Sequence, residues 1–179
     1  MHNLNTTLFL AINNLSGHLP LLDRVFLFIT NPLIFIVIGT AATWIIFIRP
    51  FYKKDPVERL RAIRDGLLFV TVMGLVWFIG ALLKSVIAFP RPQQYFQGIR
   101  TLLVYGDFDS FPSLHAAFSF ALAYMIFSRN ARLGIGLFII ATLVGISRVF
   151  VGVHFPLDII VGAAIGLLVP WCIGTIIRR

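Results

Sequence analysis

Charge is what this chain has least of. Only 12% of its 179 residues are Asp, Glu, Lys or Arg, against about a quarter in soluble domains. Acidic residues number seven, while 59% of the chain is hydrophobic and the mean hydropathy is +0.93. One water-soluble core cannot absorb that much apolar surface, so most of it must face lipid or other apolar segments. No stretch is polar enough for a separate soluble domain, and residues 1–179 read as a single integral-membrane unit. Cysteine is almost missing: Cys172 stands alone in an apolar run, which excludes an intrachain disulfide. A basic leader followed by a continuous apolar run is also lacking, because Asn, Gly, His and Pro interrupt the first 23 residues; no signal peptide is expected there. The formal net charge is +8. With no basic soluble face to bind nucleic acid, that surplus reads as membrane topology.

Long apolar runs are what the chain does have. A spanning helix needs about 20 mostly apolar residues. Five candidates lie at 25–48, 66–89, 113–127, 133–151 and 157–177. The third is short, and Asn31-Pro32 predicts a kink or break in the first. Residues 4–15 are amphipathic and too short to cross, which predicts an interfacial helix. The fold class expected is therefore all-α, a polytopic membrane bundle of about five spans plus that N-terminal helix. The segments 49–65 and 128–132 and the tail with Arg178 and Arg179 hold ten of the fifteen Lys and Arg residues. Five spans put these segments on one side, expected to be the cytoplasm.

Three polar clusters collect at the opposite side. Lys84, Arg91 and Pro92 close the second span. Pro112, Ser113 and His115 open the third. Ser147 and Arg148 close the fourth, and His154 and Asp158 open the fifth. Charged groups inside a bilayer are costly and mark function; snorkelling to the interface explains one such cation better than three beside two histidines. Phe111-Pro112 and Phe155-Pro156 look like helix starts with proline first. The N–H groups of Ser113 and Leu114 would then point at a bound anion. Asp158, four residues after His154, is placed to fix the imidazole tautomer. Two histidines and an aspartate could instead ligate zinc, but three cations repel a metal and attract phosphate. In the loop 93–111, Tyr95, Phe96 and Tyr105 read as interface anchors, and Asp107 and Asp109 as turn residues. Arg100 is a candidate for a second phosphate. Gly134, Gly136, Gly162 and Gly166 would permit close helix packing.

These residues resemble the type 2 phosphatidic acid phosphatase superfamily, whose motifs read K-x6-R-P, P-S-G-H and S-R-x5-H-x3-D. Here they stand as Lys84-SVIAFP-Arg91-Pro92, Pro112-Ser113-Leu114-His115 and Ser147-Arg148-VFVGV-His154-FPL-Asp158. The resemblance implies a lipid phosphatase of the bacterial inner membrane with its site on the outer face and the bilayer as its surroundings. It implies attack by His154 to give a phosphohistidine, Asp158 orienting His154, and His115 protonating the leaving oxygen. Lys84, Arg91, Arg148, Ser113 and the Leu114 backbone would bind phosphate, with no metal and no cofactor. Undecaprenyl diphosphate is the substrate expected first; lipid A 1-phosphate, phosphatidylglycerophosphate and phosphatidate are alternatives, as is phosphate transfer to a second lipid. Leu114 departs from the family glycine.

Overall fold

The computed structural model describes residues 4–104 and 109–177. Expectations placed on Tyr105, Asp107, Arg178 and Arg179 lie outside them. Among the described residues the regular structure is all helical: α1 Leu4–Asn13, α2 Pro20–Phe51, α3 Pro56–Ile87, α4 Pro92–Tyr95, α5 Leu114–Phe127, α6 Ala131–Phe150 and α7 Pro156–Ile177. Of these, α2, α3, α6 and α7 are long and apolar enough to cross a membrane. With 14 residues, α5 is only about 21 Å long, short of a bilayer core of about 30 Å. It still runs between the same two ends as its neighbours. Just before it, the Ser113 N–H donates to the Asp158 carbonyl (3.1 Å), and just after it Arg129 reaches Asp65 (2.9 Å).

The kink or break expected at Asn31-Pro32 takes the form of a π turn within a continuing helix. Proline removes a backbone donor and crowds the preceding turn, and α2 absorbs both effects by widening into a π turn over Ile29–Leu33. The helix then continues to Phe51 through a second π turn at Trp44–Ile48. A second correction concerns the basic loop. The α3 helix starts at Pro56 rather than near 66, because Asp55 caps it by accepting the Glu58 N–H at 2.9 Å and Pro56 takes the first helical position. Arg59, Arg61 and Arg64 therefore ride on a helix.

The core lies where α5 is wrapped by its longer neighbours. Phe69, Val72 and Val76 of α3 meet Ala117, Ala121, Leu122 and Met125 of α5 and Ile165 of α7. An alanine-rich α5 lets the backbones approach closely, and Gly162 and Gly166 of α7 complete that approach. A Cβ at either would run into the Ser113 or Ala117 carbonyl. Large apolar side chains such as Phe35, Phe47, Leu67 and Ile160 point outward, as lipid-facing residues do.

At the end carrying the three clusters, α1 forms a cover. Its Phe9 is fully buried against Phe96 and Phe155. Its Asn5 side chain accepts the Leu157 N–H at 2.9 Å, satisfying one orphan donor of the α7 N-terminus. Asn13 donates to the carbonyls of Arg100 (2.7 Å) and Phe150 (2.9 Å). Truncating a buried phenylalanine costs about 3–5 kcal/mol. Phe9→Ala is therefore expected to lower the unfolding midpoint in detergent by several degrees, measured by thermal unfolding beside the wild type.

Candidate active site

Local chain chemistry delivers each cluster to the same place. Helix α6 ends in a Schellman motif: the Val153 N–H bonds the Arg148 carbonyl and the Gly152 N–H the Val149 carbonyl, both at 3.1 Å. That turn needs φ +84° at Gly152, where a Cβ would also come within 2.7 Å of the Arg100 carbonyl. The turn leaves Arg148 in the last turn of α6 and His154 two residues past the glycine. Pro156 then opens α7, and Asp158 reaches back to accept the Phe155 N–H at 2.8 Å, the return half of a capping box. One carboxylate oxygen, Asp158 Oδ2, thus caps its own helix and also meets His154 Nδ1 at 3.3 Å. The Ser110 hydroxyl donates to that same oxygen through a short contact. An acceptor at Nδ1 favours the tautomer that leaves the Nε2 lone pair open.

The first cluster is tied to the other two by its backbone partners. Lys84, in the last turn of α3, donates to the Asp109 carbonyl at 2.6 Å, and the Ser110 N–H donates to Phe89 at 2.8 Å. Ala88 ends α3 in the left-handed region at φ 43°, a conformation costing an alanine about 1–2 kcal/mol, and it turns the chain towards α4. Arg91 caps α4, with Pro92 in its first position, and donates to the Val153 carbonyl at 3.1 Å. Arg148, 1% exposed, donates to Asn31 Oδ1 at 3.0 Å and Thr30 Oγ1 at 3.3 Å. Both partners sit in the π turn, so the proline expected to kink or break α2 lies in the turn that seats a buried guanidinium.

Ser113 and His115 begin α5. Ser113 is fully buried, and its hydroxyl has no hydrogen-bond partner among the described residues. An orphaned buried hydroxyl calls for a ligand to satisfy it. His115 lies within electrostatic reach of Arg148, His154, Arg91 and Lys84, and its ring meets Phe35 edge-on at 5.9 Å between centroids. The structure therefore gathers Lys84, Arg91, Ser113, His115, Arg148, His154 and Asp158 at one end of the bundle. Burial, and then the charges of Arg148, Arg91 and Lys84, hold the His154 imidazole well below the usual histidine range, so the ring is neutral.

Three expectations change. Pro112 precedes α5 by two residues and does not open it; Ser113 is the N-cap. The Ser113 N–H does not point at an open anion site, because it is bonded to the Asp158 carbonyl. Leu114 turns its side chain onto α3, against Gly80, and leaves its backbone at the first turn of α5. Arg100 stands away from the cluster, its guanidinium donating to the Ser16 carbonyl at 2.5 Å. Ser147 bonds its own helix at Val144 (2.6 Å), a packing role. Ser110, Thr30 and Asn31 are the support residues that sequence reasoning missed. The Asn-Pro pair inside a span was the one visible signal for the last two.

Known proteins share this sequence pattern and this fold. The family model of the PAP2 superfamily matches residues 65–179. The undecaprenyl-diphosphatase BcrC of Bacillus subtilis (strain 168) is 28% identical over 166 residues, spanning 93% of this chain and 80% of that protein. The crystal structure of Aquifex aeolicus LpxE superposes with a TM-score of 0.77 at 28% identity, covering 96% of this chain and 94% of that one. The crystal structure of the first transmembrane PAP2-type phosphatidylglycerolphosphate phosphatase from Bacillus subtilis gives a TM-score of 0.67 at 29% identity, covering 99% and 88%.

Proposed function

The chain belongs to the PAP2 superfamily and is a membrane lipid phosphatase; from that premise we propose that it hydrolyses undecaprenyl diphosphate at the outer face of a bacterial inner membrane through a phosphohistidine. The observation that carries the mechanism is the Asp158 carboxylate, which takes three donors at one oxygen and fixes a neutral His154 beside three cations.

His154 Nε2 attacks phosphorus while the bond to the bridging oxygen breaks. His115 gives its proton to that leaving oxygen, and lipid monophosphate departs. His115, now neutral, takes a proton from water, the water oxygen attacks the phosphohistidine, the P–N bond breaks, and inorganic phosphate leaves. Lys84, Arg91 and Arg148 hold the non-bridging oxygens, with the Ser113 hydroxyl and the first-turn N–H groups at Leu114 and His115 adding donors. Phosphoryl transfer asks mainly for positioning and charge stabilisation, and these groups supply both without a metal. The orientation is supported by the basic residues at the far end, Arg49, Arg64 and Arg129 among them.

The likeness to the Bacillus undecaprenyl-diphosphatase supports the substrate. The test is kcat/KM for the purified protein on undecaprenyl diphosphate, lipid A, phosphatidylglycerophosphate and phosphatidate, with and without a strong chelator. Undecaprenyl diphosphate is expected to lead by at least about tenfold, with free phosphate as product and no loss in chelator. Preference for another lipid would replace the substrate, a phosphorylated second lipid would replace hydrolysis, and loss restored by zinc would replace the mechanism.

Ser110 acts through Asp158 as a positioning residue. A hydrogen bond to a charged group contributes about 1.5–3 kcal/mol, so Ser110→Ala is expected to lower kcat by about 10-fold to 100-fold. KM should change little, and Ser110→Thr should recover part of the rate. A pure packing role would leave kcat near the wild-type value in a folded variant.

A further inference from the structure

The end of the bundle remote from the histidines contains a second built site. Asp65 lies 19 residues before Lys84 on α3, about 28 Å along the helix. Its side chain is 7% exposed and meets three arginines: Arg49 of α2 at 2.6 Å, Arg129 beyond α5 at 2.9 Å and its neighbour Arg64 at 3.6 Å. One carboxylate thereby fixes cations from three segments and leaves an excess of positive charge. The proposed reaction uses none of these groups.

A cavity of about 420 Å³ opens beside this cluster. Its lining combines Arg64, Asp65, Arg129 and Ser128 with the apolar Leu68, Val72 and Trp171. A smaller cavity of about 250 Å³ also borders the Asp65–Arg129 pair and is lined by Trp44. Trp44 and Trp171 are both more than half exposed. Tryptophan concentrates at headgroup depth, which puts the larger cavity at the level of phospholipid phosphates. A guanidinium pair matches phosphate oxygens, and the apolar wall matches an acyl chain. Inorganic phosphate would engage only the polar half.

We propose that this cavity binds the phosphodiester headgroup of an anionic glycerophospholipid, which stays unhydrolysed and ties the ends of α3, α5 and α7 together. Basic pockets between spans commonly hold such headgroups. Asp65 keeps Arg129 pointed at the site, and Arg64, 61% exposed and held only loosely, is the arm free to close on the lipid.

The experiment is thermal unfolding of the full chain in a neutral detergent, with added phosphatidylglycerol, phosphatidylcholine or inorganic phosphate. Phosphatidylglycerol is a diester and is not a substrate for the proposed chemistry. It is expected to raise the midpoint of the wild type by about 4 °C, with phosphatidylcholine and phosphate giving less than a quarter of that shift. Arg64→Gln should unfold at the wild-type temperature without lipid, keep its lipid phosphatase activity, and lose more than half of the shift. Arg129→Gln is avoided because it would leave Asp65 buried with its main partner gone. Trp171→Ala is the second variant and should also lose most of the shift, by removing the acyl-chain wall. A full shift in both variants, or an equal shift with phosphatidylcholine, would overturn the site. An equal shift with inorganic phosphate would overturn the lipid as its ligand.

Discussion

Replacing His154 with alanine is expected to remove turnover, by about 10⁴-fold or more, while the protein stays folded in detergent. His154 lies in the turn between α6 and α7 and is 3% exposed. Its backbone neighbours are held by the Schellman turn on one side and the Asp158 cap on the other. The fold at that turn therefore does not depend on the imidazole. The proposed chemistry does, because among the described residues no other nucleophile combines an open nitrogen, a fixed tautomer and three neighbouring cations. The checks are steady-state phosphate release and the unfolding midpoint. Folded protein with wild-type turnover would remove His154 from the mechanism.

Asp158→Asn is the second large effect, with an expected loss in kcat of about 10³-fold to 10⁴-fold. The carboxamide has nearly the same shape, so its oxygen can still accept the Phe155 N–H and cap α7. It carries no charge to stabilise the ring as the P–N bond forms. It can also turn its NH₂ group towards Nδ1, which selects the wrong tautomer. KM should move little, because Lys84, Arg91 and Arg148 still hold the phosphate. A change confined to KM would mean that Asp158 shapes substrate binding rather than the nucleophile.

The parts of this site that were legible in the sequence are those for which membrane physics penalises accident. Lys84, Arg148 and Asp158 are visible because charges near the end of an apolar run are costly. His154 and Asp158 are visible as a pair because a residue just before a helix and one at its third position share a side. The bundle itself follows from run length, and even the shortness of α5 could be read from 113–127. Ser110 was not legible, since a serine in an irregular connection carries no periodic signal, and only the fold brings it to Asp158. Asn31-Pro32 was visible as a kink or break but not as a π turn, because the register change that accommodates a proline depends on the side chains around it. The early start of α3 was written plainly in Asp55-Pro56-Val57-Glu58, an N-cap signature that a search for apolar runs passes over. Leu114 required tertiary information: Gly80, 34 positions earlier, provides the space its side chain occupies.

That seat for Leu114 bears on how far the motif can drift. The family glycine is replaced here by a residue whose side chain packs at Gly80 of α3, so in the proposed mechanism the first-turn N–H groups of α5 stay available to phosphate. Phe35, which meets the His115 ring edge-on at 5.9 Å, is an exposed aromatic beside the proposed proton donor.

The central claim is that phosphorus becomes bonded to His154. It is tested most directly by mixing the enzyme with undecaprenyl diphosphate labelled at the terminal phosphate, quenching within the first turnover in base, and locating the label by peptide mass spectrometry. The account predicts an acid-labile, base-stable phosphohistidine at residue 154, absent from His154→Ala and accumulating in a His115 variant that still undergoes the first step. Label released as phosphate with no bound fraction at any quench time, under conditions where His115→Ala slows the second step, would contradict it.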